Sequence, residues 1–177
     1  EDYATTILDR MSDNIAGKLV VDIGSNDGTL LEEFKNRGLR VLGIDPARSI
    51  AAEASARGIE TKVAFFTSRL AQDIKESMGP AQIVCANNVF AHADDLIDLT
   101  KGVRTLLAPE GLFIFEVSYL VDVLQKTLFD TIYHEHLAYH SVIPLKRFFS
   151  SQGLEFVCVQ RVNTHGGSLR GLVQLSG

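Results

Sequence analysis

Lys18-Leu19-Val20-Val21-Asp22-Ile23-Gly24-Ser25-Asn26-Asp27-Gly28 is a β-branched apolar run that passes into an acidic, glycine-bearing loop. A short run of this kind suits a strand buried on both faces. The two glycines permit a tight turn and the close approach of a ligand to backbone. Residues 29–37 then set Leu30, Leu31 and Phe34 at helical spacing, and Gly38 stops them. Strand, glycine loop and helix in that order open a parallel α/β sheet, in which ligands sit beyond the carboxyl ends of the strands.

The same rhythm repeats outward. The pattern predicts further strands over 40–44, 59–65, 81–86 and 112–117, with helices over 47–57, 68–78 and 94–107 between them. Asp45-Pro46, Gly58, Gly79-Pro80 and Ala108-Pro109-Glu110-Gly111 punctuate the joins. The strands are apolar without strict alternation, as in a doubly wound, mostly parallel, Rossmann-like sheet with helices on both faces. After the fifth strand the rhythm breaks into a histidine-rich, irregular insert over 119–140. Residues 142–151 read as a helix with Phe148 and Phe149 on its apolar side, and 153–161 and 168–175 as a closing strand pair. Residues 3–11 read as a helix that packs on as a lid or brace. No repeat, low-complexity tract or linker divides residues 1–177, so one domain is expected.

The 177 residues suffice for one domain with a sizeable core, and a hydrophobic fraction of 46% makes it a folded one. A net charge of -5 without any Lys/Arg run argues against nucleic acid as a partner. The most apolar stretch, 111–124, carries Glu116 and Asp122 and is too short to span a bilayer. The amino end lacks the apolar core of a signal peptide. No membrane partner is therefore expected, and the expected location is cytoplasmic. Cys85 and Cys158 lie in apolar runs and are expected as buried thiols, and no Cys-x-x-Cys pair exists for structural zinc.

The glycine loop also constrains its ligand. The dinucleotide fingerprint is Gly-x-Gly-x-x-Gly, whose middle glycine lets backbone approach a pyrophosphate. Asn26 stands in that place, and the spacing is Gly24-x-x-x-Gly28. S-adenosylmethionine has no pyrophosphate and needs no such glycine; its one carboxylate suits the free N–H groups of a helix start. Asp45-Pro46 ends the second strand where an acid can accept both ribose hydroxyls. This combination resembles class I S-adenosylmethionine-dependent methyltransferases. The resemblance implies Asp22 as the acid that begins their first motif, Gly24, Ser25, Asn26 and Gly28 as the cofactor loop, and Asp45 with Pro46 at the ribose. Phe65, followed by Phe66 and Thr67, is a candidate to flank adenine, with a core role as the alternative. Asn87-Asn88-Val89-Phe90-Ala91-His92 should line the floor near the sulfonium. A nicotinamide cofactor and a plain turn in a cofactor-free domain are the competing readings.

Three of the five histidines lie in Tyr133-His134-Glu135-His136-Leu137-Ala138-Tyr139-His140. Imidazole exchanges protons near neutrality, so the run suits acid–base work. Zincin spacing fails, because Ala138 stands where the second histidine is required. His136 and His140 are four apart and can co-ligate on a helix, but no third ligand is evident, so no metal is expected. On a helix Tyr133, His136 and His140 share a face; in extended chain Tyr133 and Glu135 face opposite His134 and His136. Tyr133, Glu135 and His136 therefore converge only where the chain bends. A hydrogen-bonded lid without chemistry is the competing reading.

Phe129-Asp130-Thr131-Ile132-Tyr133-His134-Glu135-His136-Leu137, with Tyr139 following, is similar to the signature of the sugar-nucleotide C-methyltransferases. These enzymes methylate a deoxy-ketosugar at the carbon next to its carbonyl. Asn88-Val89-Phe90-Ala91-His92, Glu116 followed by Ser118-Tyr119-Leu120, and Thr164-His165-Gly166-Gly167-Ser168-Leu169-Arg170 match the same family in order along nearly the whole chain. The resemblance implies His136 as general base, Tyr133 and His92 as donors to the enolate oxygen, and Glu135 as the group orienting a histidine or a sugar hydroxyl. Methyl transfer then proceeds in line, without a metal. It also implies a nucleotide-linked sugar as the small-molecule substrate. A longer protein is implied too, with a cysteine-ligated zinc module before this cofactor-binding part and a substrate-binding domain after it. An O- or N-methyltransferase, or a cofactor-binding module inactive in isolation, are the alternatives. His165-Gly166-Gly167 is expected as a tight turn. Arg170 stays open between a substrate diphosphate and a solvated strand end, and Glu116 between substrate and a nearby cation.

Overall fold

A computed structural model describes residues 3–11 and 15–177. Its seven strands are β1 (Leu19–Ile23), β2 (Arg40–Asp45), β3 (Thr61–Val63), β4 (Ala81–Asn87), β5 (Leu107–Ser118), β6 (Leu154–Val162) and β7 (Ser168–Leu175). They form one sheet in the order β3-β2-β1-β4-β5-β7-β6. The first five strands pair parallel, whereas β7 pairs antiparallel with both β5 and β6. The order reverses between β1 and β4, the switch point at which such sheets hold their ligands.

Among the described residues, seven helices flank the sheet: α1 (Tyr3–Leu8), α2 (Thr29–Asn36), α3 (Arg48–Ala56), α4 (Ser68–Met78), α5 (Leu96–Leu106), α6 (Leu120–Lys126) and α7 (Val142–Ser151). Successive strand residues alternate between two cores. Val21, Val84 and Phe113 pack against Ile74, Val103 and Phe149 on one face. Val20, Ile83 and Ile114 pack against Ile7, Leu31 and Phe34 on the other. Both faces are covered, which explains why the strands read as unbroken apolar runs. Local chemistry sets the helix starts. Thr67 Oγ1 accepts from the Leu70 N–H at 3.2 Å, and the Asp95 carboxylate accepts from the Asp98 N–H at 2.9 Å, each satisfying an otherwise orphaned donor.

The expected elements are present, with instructive differences. The insert is not irregular throughout: α6 and a 3-10 turn over Phe129–Thr131 occupy part of it. α6 holds because Asp122 is fully buried and accepts from both Arg161 and Lys126, a compensation invisible in a local reading. β3 covers only three residues, since Ala64 to Thr67 leave the sheet to line a cleft. β5 begins early, with 108–111 looped out between the pairs Ala81–Leu107 and Ile83–Leu112. The first helix stops at Leu8 rather than residue 11. Cys85 is a buried thiol, but Cys158 is only half-buried on β6, at the sheet margin. Among the described residues, no helix is long and apolar enough to cross a membrane.

Candidate active site

A cleft of about 400 Å³ opens at the carboxyl ends of β1, β2 and β4. Gly24, Pro46, Phe65, Asn88 and His92 are among its lining residues. Gly24 has φ 71°, and a Cβ there would stand 2.6 Å from Val89 Cγ2, so the turn needs glycine on both counts. Asn26 also adopts a positive φ, of 51°, which asparagine tolerates better than other side chains. Its backbone N–H donates to Asp45 Oδ2 at 3.0 Å, while Asp45 Oδ1 accepts from the Ala47 N–H at 2.8 Å. Asp45 is thereby fixed at the end of β2 with lone pairs to spare. Gly28, at φ 78°, starts α2. Phe65 is no core residue: 78% of it is exposed at the cleft rim.

Among the described residues, two buried polar atoms at this loop, Asp22 Oδ1 and Ser25 Oγ, find no hydrogen-bond partner. Burial pushes the Asp22 carboxyl up to about 7, and the neighbouring Asp45 charge adds to the effect. Orphaned acceptors beneath a glycine turn, an anchored acid at the end of β2 and an apolar cleft with an aromatic rim fit S-adenosylmethionine. Asp45 would take the ribose, Phe65 the adenine face, and Asp22 with the loop from Gly24 to Gly28 the amino-acid end.

Asn87 ends β4, and its Oδ1 accepts from the Tyr3 hydroxyl at 3.0 Å. The Arg170 guanidinium lies 4.4 Å from the centroid of the same Tyr3 ring. Arg170 also pairs with Glu116 Oε2 at 2.9 Å, and Thr164 donates to the other Glu116 oxygen. Arg170 is thus neither a solvated strand end nor a free anion site, and Glu116 finds its cation on β7. Tyr3 gave no signal in the sequence: an aromatic residue near an amino end is indistinguishable from packing until its long-range partners are seen.

The histidine run does bend. The His136 N–H donates to the Tyr133 carbonyl at 3.1 Å, closing a turn that brings the Tyr133 hydroxyl to 3.2 Å from His136 Nε2. His136 Nδ1 lies 2.7 Å from the Thr131 carbonyl oxygen, which also accepts from the Tyr139 hydroxyl at 3.0 Å. A carbonyl only accepts, so the proton of neutral His136 sits on Nδ1 and the lone pair on Nε2. His92 Nδ1 reaches the Glu135 carbonyl at 2.8 Å, and the Leu137 N–H donates to the Ala91 carbonyl at 2.9 Å. These two bonds stitch the insert to the loop after β4. The His92 and His136 rings are 4.8 Å apart, centroid to centroid.

Tyr133 and His136 are therefore brought together beside His92, which lines the cleft. The Glu135 carboxylate is not: it is exposed, 4.0 Å from the exposed His134, and only its backbone oxygen joins the cluster. His140 is separate as well. Its ring packs on Phe90, burial depresses its pKa against the opposing bond to the Phe90 backbone, and among the described residues Nε2 finds no partner. Among the described residues no group of three or more His, Cys, Asp and Glu side chains is arranged to hold a metal ion. The Thr131 carbonyl escaped sequence reasoning because main chain carries no residue-specific mark.

Residues 1–159 match the family described as "Methyltransferase domain". The chain is 46% identical over 153 residues to the C-methyltransferase NovU of Streptomyces niveus, a match covering 86% of this chain and 36% of that protein. The chain thus spans little more than a third of that relative's length. The fold superposes on the CcbJ methyltransferase of Streptomyces caelestis with a TM-score of 0.75 at 13% identity, covering 99% of this chain and 89% of that one. It also superposes on magnesium protoporphyrin IX methyltransferase from Synechocystis, solved with bound S-adenosylmethionine, with a TM-score of 0.69 at 16% identity, covering 98% and 76%.

Proposed function

Because the chain belongs to the methyltransferase domain family, we propose that it is the cofactor-binding and catalytic domain of an S-adenosylmethionine-dependent C-methyltransferase acting on a nucleotide-linked deoxy-ketosugar. The observation that carries this reading is the His136 ring, with Nδ1 occupied by a carbonyl and the lone pair on Nε2, beside His92 on the cleft wall. Oxygen and nitrogen nucleophiles need no carbon-acid chemistry; a carbon nucleophile does, and an oriented imidazole provides it. The likeness to a protein named as a C-methyltransferase supports the same choice. The remaining length of such a protein would carry the zinc module and the substrate-binding domain that the sequence resemblance implies.

As the ketone arrives, the Tyr133 hydroxyl turns from Nε2 to the carbonyl oxygen, which uncovers the Nε2 lone pair. His136 Nε2 then takes the proton from the carbon next to the ketone, and the electron pair moves onto the oxygen that Tyr133 holds. His92 spends its Nδ1 proton on the Glu135 carbonyl, so it stabilises that oxygen through Nε2 only as the imidazolium. S-adenosylmethionine, when bound, supplies an electrophilic methyl group to the carbon. Asp45 and the loop from Gly24 to Gly28 contribute by holding the donor in register, which is worth much of the rate.

The test is proton exchange without transfer. With S-adenosylhomocysteine in place of the donor and a nucleotide-linked deoxy-ketosugar in heavy water, the protein should wash deuterium into the carbon next to the ketone. His136→Asn should slow this roughly 100-fold or more while donor affinity holds. No exchange in the wild type, with methyl appearing on oxygen or nitrogen, would overturn the C-methylation reading; undiminished exchange in His136→Asn would remove His136 as the base.

A further inference from the structure

We infer that Tyr139 is a positioning residue for His136, acting through the one carbonyl they share. The inference rests on His136 being the base proposed above. The Ile132 N–H closes the 3-10 turn onto the Phe129 carbonyl at 3.1 Å, which sets the plane of the Thr131–Ile132 peptide from its nitrogen side, while residues 132–139 have no repeating backbone bonds of their own to steady its oxygen. Two donors converge on it: His136 Nδ1 at 2.7 Å and the Tyr139 hydroxyl at 3.0 Å. The Thr131 side chain adds a bond from Oγ1 to the Leu128 carbonyl at 3.0 Å, and the residue is 8% exposed. The Tyr139 ring also stands edge-on to the His136 ring, 5.9 Å away at 86°.

The consequence concerns which nitrogen carries the proton. A free neutral imidazole prefers its proton on Nε2, the wrong end for a base that must accept there. The Thr131 carbonyl corrects this by taking a bond from Nδ1–H, and Tyr139 holds that carbonyl in place. Without the hydroxyl the Thr131–Ile132 peptide keeps its bond through the Ile132 N–H but loses one of the two donors that align its oxygen with His136. Tyr139 therefore acts on the tautomer and never on the substrate. Tyr133 supports the same tautomer from the other side by donating to Nε2.

The measurement is the ring-nitrogen spectrum of histidine-labelled protein, wild type against Tyr139→Phe, without substrate. Neutral His136 should show the Nδ1–H pattern in the wild type. Tyr139→Phe should shift the ratio roughly fivefold toward Nε2–H, the size expected for loss of one ordinary hydrogen bond. In turnover the same variant should lose kcat while KM for the donor holds. A wild-type spectrum with the proton on Nε2 overturns the inference whether or not the variant folds, and so does a Tyr139→Phe spectrum identical to wild type. A correct tautomer in a protein whose His136→Asn variant still exchanges deuterium would leave the Tyr139 contact standing and sink the base assignment, so the two failures are distinguishable.

Discussion

A Cβ built on Gly167 would overlap Asp122 Oδ2. The loop before β7 thus touches a buried carboxylate on α6 with only a hydrogen between them. Gly167 has φ 146°, a conformation other residues adopt poorly. Gly167→Ala is therefore expected to cost about 2 kcal/mol or more of stability, read as a lowered urea midpoint with an unchanged slope. Asp122→Ala in the same background should cost less than the sum of the two single changes, because the contacts with the carboxylate go, although the one with Asp122 Cβ, at 2.7 Å, stays.

Asp22 makes the ligand-free domain sensitive to pH. Its folded pKa of about 7 lies above the ordinary carboxyl value. Between about pH 4 and 7 the unfolded chain releases a proton that the folded one keeps. The contribution is complete below that window and is lost as pH rises through the folded value. Urea midpoints of the wild type at pH 5 and 7.5, set against those of Asp22→Asn, should show a relative loss on the order of 2–4 kcal/mol. A variant that tracks the wild type at both pH values would show that Asp22 titrates normally.

His140 acts in the opposite direction. Burial lowers its pKa, so the folded state keeps the ring neutral where the unfolded one takes a proton. Stability is present above the ordinary histidine value and falls as pH drops below about 6.5. His140→Leu should flatten this acid-side slope while removing a buried nitrogen that has no partner. Thermal melts between pH 5 and 7.5 check it as a difference from wild type.

Asp45 should matter to donor binding through two effects. Asp45→Ala removes the proposed ribose acceptor and also releases the Asn26 and Ala47 N–H groups that shape the loop. Calorimetry should show S-adenosylmethionine affinity reduced about 10- to 100-fold. Unchanged affinity would move the ribose elsewhere.

Most of the fold was legible because the sheet is covered on both faces and its strands are uninterrupted apolar runs. The helices over Ser68–Met78 and Val142–Ser151 and the strand Ser168–Leu175 have the bounds that punctuation alone suggested. α6 was not legible, since its stability depends on Arg161, 39 residues away, meeting Asp122. The bend at Tyr133 could be deduced as a requirement, yet its anchors are carbonyls of Thr131, Glu135 and Ala91, which no side-chain pattern announces. Arg170 was misread for a related reason: its partners, Glu116 and Tyr3, come from the middle and the beginning of the chain.

The bond from Tyr3 to Asn87 moors the amino end beside the mouth of the cleft, whereas Gly177 lies with Gln82 and Leu112 at the opposite pole of the sheet. A chain leaving Gly177 toward a substrate-binding domain would therefore have to run the length of the sheet, where ten extended residues reach about 35 Å, before it met the cleft.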